Sequence, residues 1–118
     1  MIEVLIIGYG SIGKKHAEIL KKRKDVLNIY ILTDQNLNTK GKIKKISNMT
    51  NINPDYIVIA NSTSLHLNTV KLVEKNFEDK IVLVEKPLFQ KYERINVRRN
   101  SFFVGYNLRL HPIIKKLK

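Results

Sequence analysis

Val4-Leu5-Ile6-Ile7-Gly8-Tyr9-Gly10-Ser11-Ile12-Gly13-Lys14-Lys15-His16-Ala17-Glu18-Ile19-Leu20 runs from an apolar tetrapeptide, through three glycines, into a segment of helical period. The tetrapeptide reads as a buried strand. Ile12, His16, Ile19, Leu20 and Arg23 then follow at i, i+4, i+7, i+8 and i+11, with lysines between them, which is the spacing of one helix face. The glycines fall as G-x-G-x-x-G, and each has a separate task. Gly8 permits a sharp turn out of the strand, because a residue without Cβ tolerates backbone angles forbidden to others. Gly10 leaves room for a pyrophosphate to approach the main chain, and Gly13 lets the helix pack close to the strand. The start of that helix would aim its unpaired N–H groups and positive dipole end at the phosphates.

A dinucleotide site of this kind also needs an acid about 20 positions further on, at the end of the second strand, to hold a ribose hydroxyl pair. Asp34 stands there, directly after Leu27-Asn28-Ile29-Tyr30-Ile31-Leu32-Thr33. The rest of the chain repeats the strand–helix alternation. Ile43 and Ile46 suggest a short strand in a polar, lysine-rich stretch that offers little for a full helix. After the turn signal Asn53-Pro54-Asp55, the continuous apolar run Tyr56 to Ala60 fits a strand buried on both faces. Asn61-Ser62-Thr63-Ser64 supplies N-cap types for a helix to about Lys75, with His66, Val70, Val73 and Phe77 on one face. Ile81 to Val84 and Ser101 to Val104 read as further strands, with a charged piece between them over 90–100. A last helix is expected from Leu108. The whole of 1–118 therefore reads as one domain, a doubly wound α/β parallel sheet of about six strands. In such a sheet the strand exits converge on one edge, where ligands bind.

Bulk properties narrow the function classes. No apolar run approaches bilayer length, and the chain enters a strand at once from Met1, so neither a membrane span nor a signal peptide is expected. The absence of cysteine removes disulfides and thiolate metal sites and favours a cytoplasmic setting. The net charge of +12 would raise nucleic acid as a partner. The lysines are scattered, however, and no run alternates aromatics with arginines, so no nucleic-acid partner is expected. Lys, Ile and Asn are abundant together, as an AT-rich genome would encode whatever the function. His16, His66 and His111 lack metal-ligand spacing among themselves or with acids, so no metal is expected.

Glu85-Lys86-Pro87 after a late strand, followed by Gly105-Tyr106-Asn107-Leu108-Arg109-Leu110-His111-Pro112, is more discriminating than the glycines. With Gly8–His16 and Ala60–His66, these pieces make the chain resemble the N-terminal NAD(P)-binding domain of the glucose–fructose oxidoreductase / inositol dehydrogenase (Gfo/Idh/MocA) family. The resemblance implies that Gly8, Gly10 and Gly13, with the backbone of Ser11 and Ile12, cradle the pyrophosphate. Asp34 would take the adenosine ribose and favour NAD, while Lys40 and Lys42 are near enough in sequence to leave NADP open. Asn61, Ser62, Thr63 and His66 would border the cofactor, with Glu85 near the nicotinamide ribose. Lys86 would be catalytic, donating a hydrogen bond to a substrate oxygen, with Pro87 a candidate for a cis peptide.

Simpler roles stand beside these. His16 is most simply a helix residue packed beneath the glycine turn, His66 either borders a ligand or does not, and Arg109 serves the cofactor or pairs with an acid. The family's usual Thr-Pro-Asn is replaced here by Asn61-Ser62-Thr63. Its catalytic Asp-x-x-x-His lies in a C-terminal domain absent from these residues: Ile12, Ser62 and Asn107 stand four positions before the three histidines. The implied activity is hydride transfer between NAD(P) and a sugar or polyol carbinol, with this chain binding cofactor without turnover by itself. The family forms homo-oligomers, and the state of this chain stays open. The rival is a stand-alone NAD(H)-binding sensor, which has no use for Lys86.

Overall fold

In the computed structural model, which describes residues 2–33, 39, 41–61, 65–85 and 100–105, the glycine stretch lies at the centre of one sheet. The elements are β1 (Ile2–Ile7), α1 (Ser11–Lys21), β2 (Val26–Leu32), β3 (Ile43–Ile46), β4 (Tyr56–Ile59), α2 (His66–Asn76), β5 (Ile81–Glu85) and β6 (Ser101–Gly105). Every pairing is parallel, in the order β3-β2-β1-β4-β5-β6. The chain winds outward one way from β1 to β3 and the other way from β4 to β6. That places the reversal between β1 and β4.

The apolar runs are continuous because both faces of the central strands are covered. Val4 and Ile6 face a layer completed by Ala17 and Leu20 of α1, and Leu5 and Ile7 face one completed by Val70, Val73 and Phe77 at α2. The two helices therefore cover opposite faces. On the second face, the crossover at 47–55 carries no helix, as the sparse apolar content of this stretch suggests. Met49 and Ile52 pack onto the core from it instead. At the other edge of the sheet Asp55 knits the strand starts: its N–H donates to the Glu3 carbonyl (2.7 Å), and its carboxylate accepts from the Glu3 N–H (2.9 Å).

The helix faces differ from the simple periodic reading. The buried residues of α1 are Gly13, His16, Ala17 and Leu20, whereas Ile12 and Ile19 are exposed. Gly13 fixes this rotation. A Cβ there would lie 3.1 Å from the Gly8 carbonyl carbon and closer still to its oxygen, so the bare edge of the helix must face the turn. In α2 the Asn61 side chain does not cap the helix. Leu65 is the capping residue, and Asn61 Nδ2 donates to Thr69 Oγ1 at 2.7 Å. The predicted segments at 90–99 and from Leu108 onward lie outside the described residues.

β6 is fastened at its start by Asn100. Its amide nitrogen donates to Glu74 Oε1 (2.9 Å) and to the Phe77 carbonyl (3.0 Å), while its oxygen accepts from the Lys80 N–H (2.8 Å). Asn100→Ala removes all three bonds. An expected loss of about 1–3 kcal/mol follows, to be read from denaturant unfolding followed by circular dichroism.

Candidate functional site

Strand β1 ends by handing its last groups to both neighbours: the Gly8 N–H donates to the Leu32 carbonyl (3.0 Å), and the Ile7 carbonyl accepts from the Ala60 N–H (2.8 Å). The chain then turns at Gly8, whose φ of +97° is a conformation that L side chains rarely adopt. A Cβ here would also stand 2.6 Å from Asn61 Cα and 2.7 Å from its nitrogen. The exits of β1 and β4 thus touch backbone to backbone at the point where the winding reverses.

Two residues later the geometry is the opposite. Gly10 is the N-cap of α1, in extended backbone, and its carbonyl accepts the first helical bond, from the Lys14 N–H at 3.0 Å. A Cβ on Gly10 would meet nothing within 4 Å. As a glycine it offers no side-chain acceptor, and no acid stands in the first turn. The positive end of α1 is therefore not answered by a local carboxylate.

That end opens into a cleft of about 630 Å³, a volume typical of small-molecule sites. Residues Ile7 through Ile12 form its floor and one wall, Leu32 and Thr33 contribute from the exit of β2, and Ala60, Asn61 and Leu65 from the exit of β4. Tyr9, which lines the cleft, also lies under the Lys14 ammonium, 5.6 Å from the ring centre. Among the described residues no group of three His, Asp or Glu side chains could hold a metal ion, and no helix is long and apolar enough to cross a membrane.

Of the predicted site residues, Gly8, Gly10, Ser11, Ile12 and Asn61 line this one cleft. Gly13 lies behind it, against the Gly8 carbonyl. Glu85 does not line it: the side chain is buried and its Oε1 is bonded to Nε2 of His16, itself fully buried. Burial pushes the His16 imidazole down to about 4, so near neutrality it is uncharged and its Nε2–H donates to the carboxylate. Tyr56 shares this face, its phenol raised by burial and by the nearby Glu85 charge. Backbone of His66 opens α2, and its side chain lies outside the described set, as do Asp34, Ser62, Thr63, Lys86, Pro87, Arg109 and Lys40.

Lys42 does not line the cleft. It stands at the start of β3, at the amino edge of the sheet, where its ammonium donates to the Arg23 carbonyl at 2.6 Å. A parallel partner strand begins at the edge opposite to where the previous one ends. Sequence reasoning missed Ile7, Tyr9, Leu32, Thr33, Ala60 and Leu65 as lining residues. The available signal was position, since each lies within two residues of one already singled out.

A family model described as an oxidoreductase family with an NAD-binding Rossmann fold (Gfo/Idh/MocA) matches residues 2–97. Among solved structures, the chain is similar in fold to dipicolinate-bound dihydrodipicolinate reductase from Paenisporosarcina sp. TG-14, with a TM-score of 0.64 and 15% identity over 77% of this chain and 39% of that one. It is similar to myo-inositol 2-dehydrogenase from Lactobacillus plantarum at a TM-score of 0.58 and 21% identity, over 77% of this chain and 30% of that one. UDP-N-acetylglucosamine 3-dehydrogenase from Acidithiobacillus ferrooxidans gives 0.55 and 16%, over 75% and 29%. The chain thus spans between 29% and 39% of the length of these proteins. No curated protein sequence matches it.

Proposed function

The chain belongs to the Gfo/Idh/MocA oxidoreductase family through its NAD-binding Rossmann domain, and on that premise we propose that the cleft seats NAD in preference to NADP for hydride exchange with a sugar or polyol carbinol. The observation that carries this reading is the contrast among the three glycines. Gly8 and Gly13 are needed by the protein's own backbone, whereas the bare side of Gly10 faces open space in the cleft, at the start of a helix without a first-turn acid. A diphosphate fits that cradle, and it would accept from the N–H groups of Ser11 and Ile12. Bound there, the dinucleotide would supply a carbon that takes or gives hydride.

The remaining work falls to the chain's own residues. Asp34, next to the cleft-lining Thr33, would hold the adenosine ribose hydroxyls and repel a 2′-phosphate. Asn61, held by Thr69, with Ser62, Thr63 and His66, would border the cofactor on the β4 side, and Arg109 would assist it or pair with an acid. Lys86, directly after Glu85, would donate a hydrogen bond to the substrate oxygen and handle its proton. The sugar or polyol class takes its support from the names of two similar structures, which act on myo-inositol and on UDP-N-acetylglucosamine. In this reading the 118 residues bind cofactor, while the substrate wall and the proton-transfer histidine come from outside them, and turnover by the chain alone is not expected.

Isothermal titration with NADH and NADPH tests the reading. NADH is expected to bind at least about tenfold more tightly than NADPH, a difference of about 1.4 kcal/mol. Tighter NADPH binding would remove the role given to Asp34, and absence of binding by either would remove the dinucleotide site.

A further inference from the structure

We propose that His16 and Glu85 form a buried positioning link that fixes the exit of β5 for the nicotinamide half of the dinucleotide. The inference rests on the cleft taking NAD as proposed above.

His16 lies on α1 and Glu85 is the last residue of β5, 69 positions apart in sequence, and their buried side chains meet between the two elements. Both are buried, on the face that holds Val4, Ile6, Ala17, Leu20, Val58 and Leu83 together with the Tyr56 phenol, which feels the Glu85 charge. Stability does not account for such a pair, because apolar residues of similar volume would serve a core as well or better. Position shows what the pair adds. Glu85 is the last residue of β5, beside Gly105 of β6, and its side chain ties that strand end across to α1. The anchor is firm: α1 is fixed independently by Gly13 against the turn and by Ala17 and Leu20 in the core. The next residue in the chain is Lys86. The helix that presents the glycine turn at one end of the cleft therefore also holds the strand end from which Lys86 follows.

Removing the link should weaken what is bound through the β5 exit while sparing what is bound at the glycine turn. The two are separated by comparing NADH with ADP, which carries the adenosine and diphosphate but no nicotinamide riboside. His16→Phe is expected to lower NADH affinity roughly tenfold while leaving ADP affinity within about twofold, since small misplacements of a site cost on this scale. His16→Gln keeps an N–H donor for Glu85 and should restore most of the difference. A folding failure of His16→Phe is met by His16→Phe/Glu85→Leu, which leaves no buried charge and should fold while showing the same selective loss. Equal losses for both ligands, or unchanged NADH affinity in a folded variant, would overturn the link. Absence of ADP and NADH binding by the parent chain would instead overturn the dinucleotide reading on which it rests.

Discussion

Gly10→Ala is expected to fold as the parent does and to bind NADH at least about tenfold more weakly, whereas Gly13→Ala is expected to bind poorly only because it folds poorly. The two substitutions add the same methyl group, so the difference lies in what that group meets. At Gly10 the backbone is extended (φ −79°, ψ −163°), which alanine adopts freely, and the new Cβ projects into empty cleft. The only intrinsic cost is that of alanine as an N-cap, about 1 kcal/mol or less relative to glycine. At Gly13 the gain in helix propensity, about 1 kcal/mol, is outweighed by driving Cβ into the Gly8 carbonyl. Backbone cannot rotate aside as a side chain tip can, so a net loss of about 2 kcal/mol or more is expected. For a chain of this length that lowers the thermal midpoint by roughly 8 °C. Gly8→Ala joins both penalties, a positive φ and a collision with Asn61 backbone, and should be worse than either. Thermal melts with and without NADH check all three. A Gly10→Ala protein that binds NADH like the parent would place the phosphates elsewhere.

This contrast also marks how far the sequence could be read. The strand–glycine–helix unit and the run Tyr56 to Ile59 were legible because they are local: backbone angles, propensity and a two-faced burial pattern act within a few residues. Ile43–Ile46 was legible as a strand for the same reason, and the missing crossover helix because 47–55 has too few apolar residues to bury one. The orientation of α1 was not. A periodic template admits Ile12 and Ile19 to the inner face, and only the collision of Gly13 with a carbonyl five residues earlier settles which side turns inward. In the candidate site, the glycine turn and Asn61 converge as strand-exit logic requires. That logic is silent on side chains that point down from the edge into the core. Glu85 was placed near a ribose by its motif, and its bond to His16 spans elements that share no sequence signal. Lys42 stands at the amino edge, bonded to the Arg23 carbonyl, because the distance along a chain says nothing of which edge of the sheet a residue occupies.

Acidification should destabilise the folded chain through His16, between about pH 6.5 and about pH 4. In the unfolded chain this imidazole takes a proton near 6.5, and in the folded protein burial delays protonation until about 4. Between these values the unfolded state binds the extra proton, so the stability of the fold is fully present above about 6.5 and is lost as pH falls toward 4. The whole shift corresponds to about 3 kcal/mol, a large share of the stability of a domain this size. Carboxylates elsewhere add their own acid sensitivity below about pH 5, so the informative quantity is a difference. His16→Gln keeps the donor to Glu85 but has no proton to gain. Its stability, measured by urea unfolding at half-unit steps from pH 7.5 to 4, should fall less steeply than that of the parent. The gap between the two curves should close or reverse as pH drops. The opposite sign, a parent protein that gains on the variant as pH falls, would mean that Glu85 draws the proton onto His16 more strongly than burial keeps it off. The pair would then be an ion pair in the folded state, held together by acid instead of released by it.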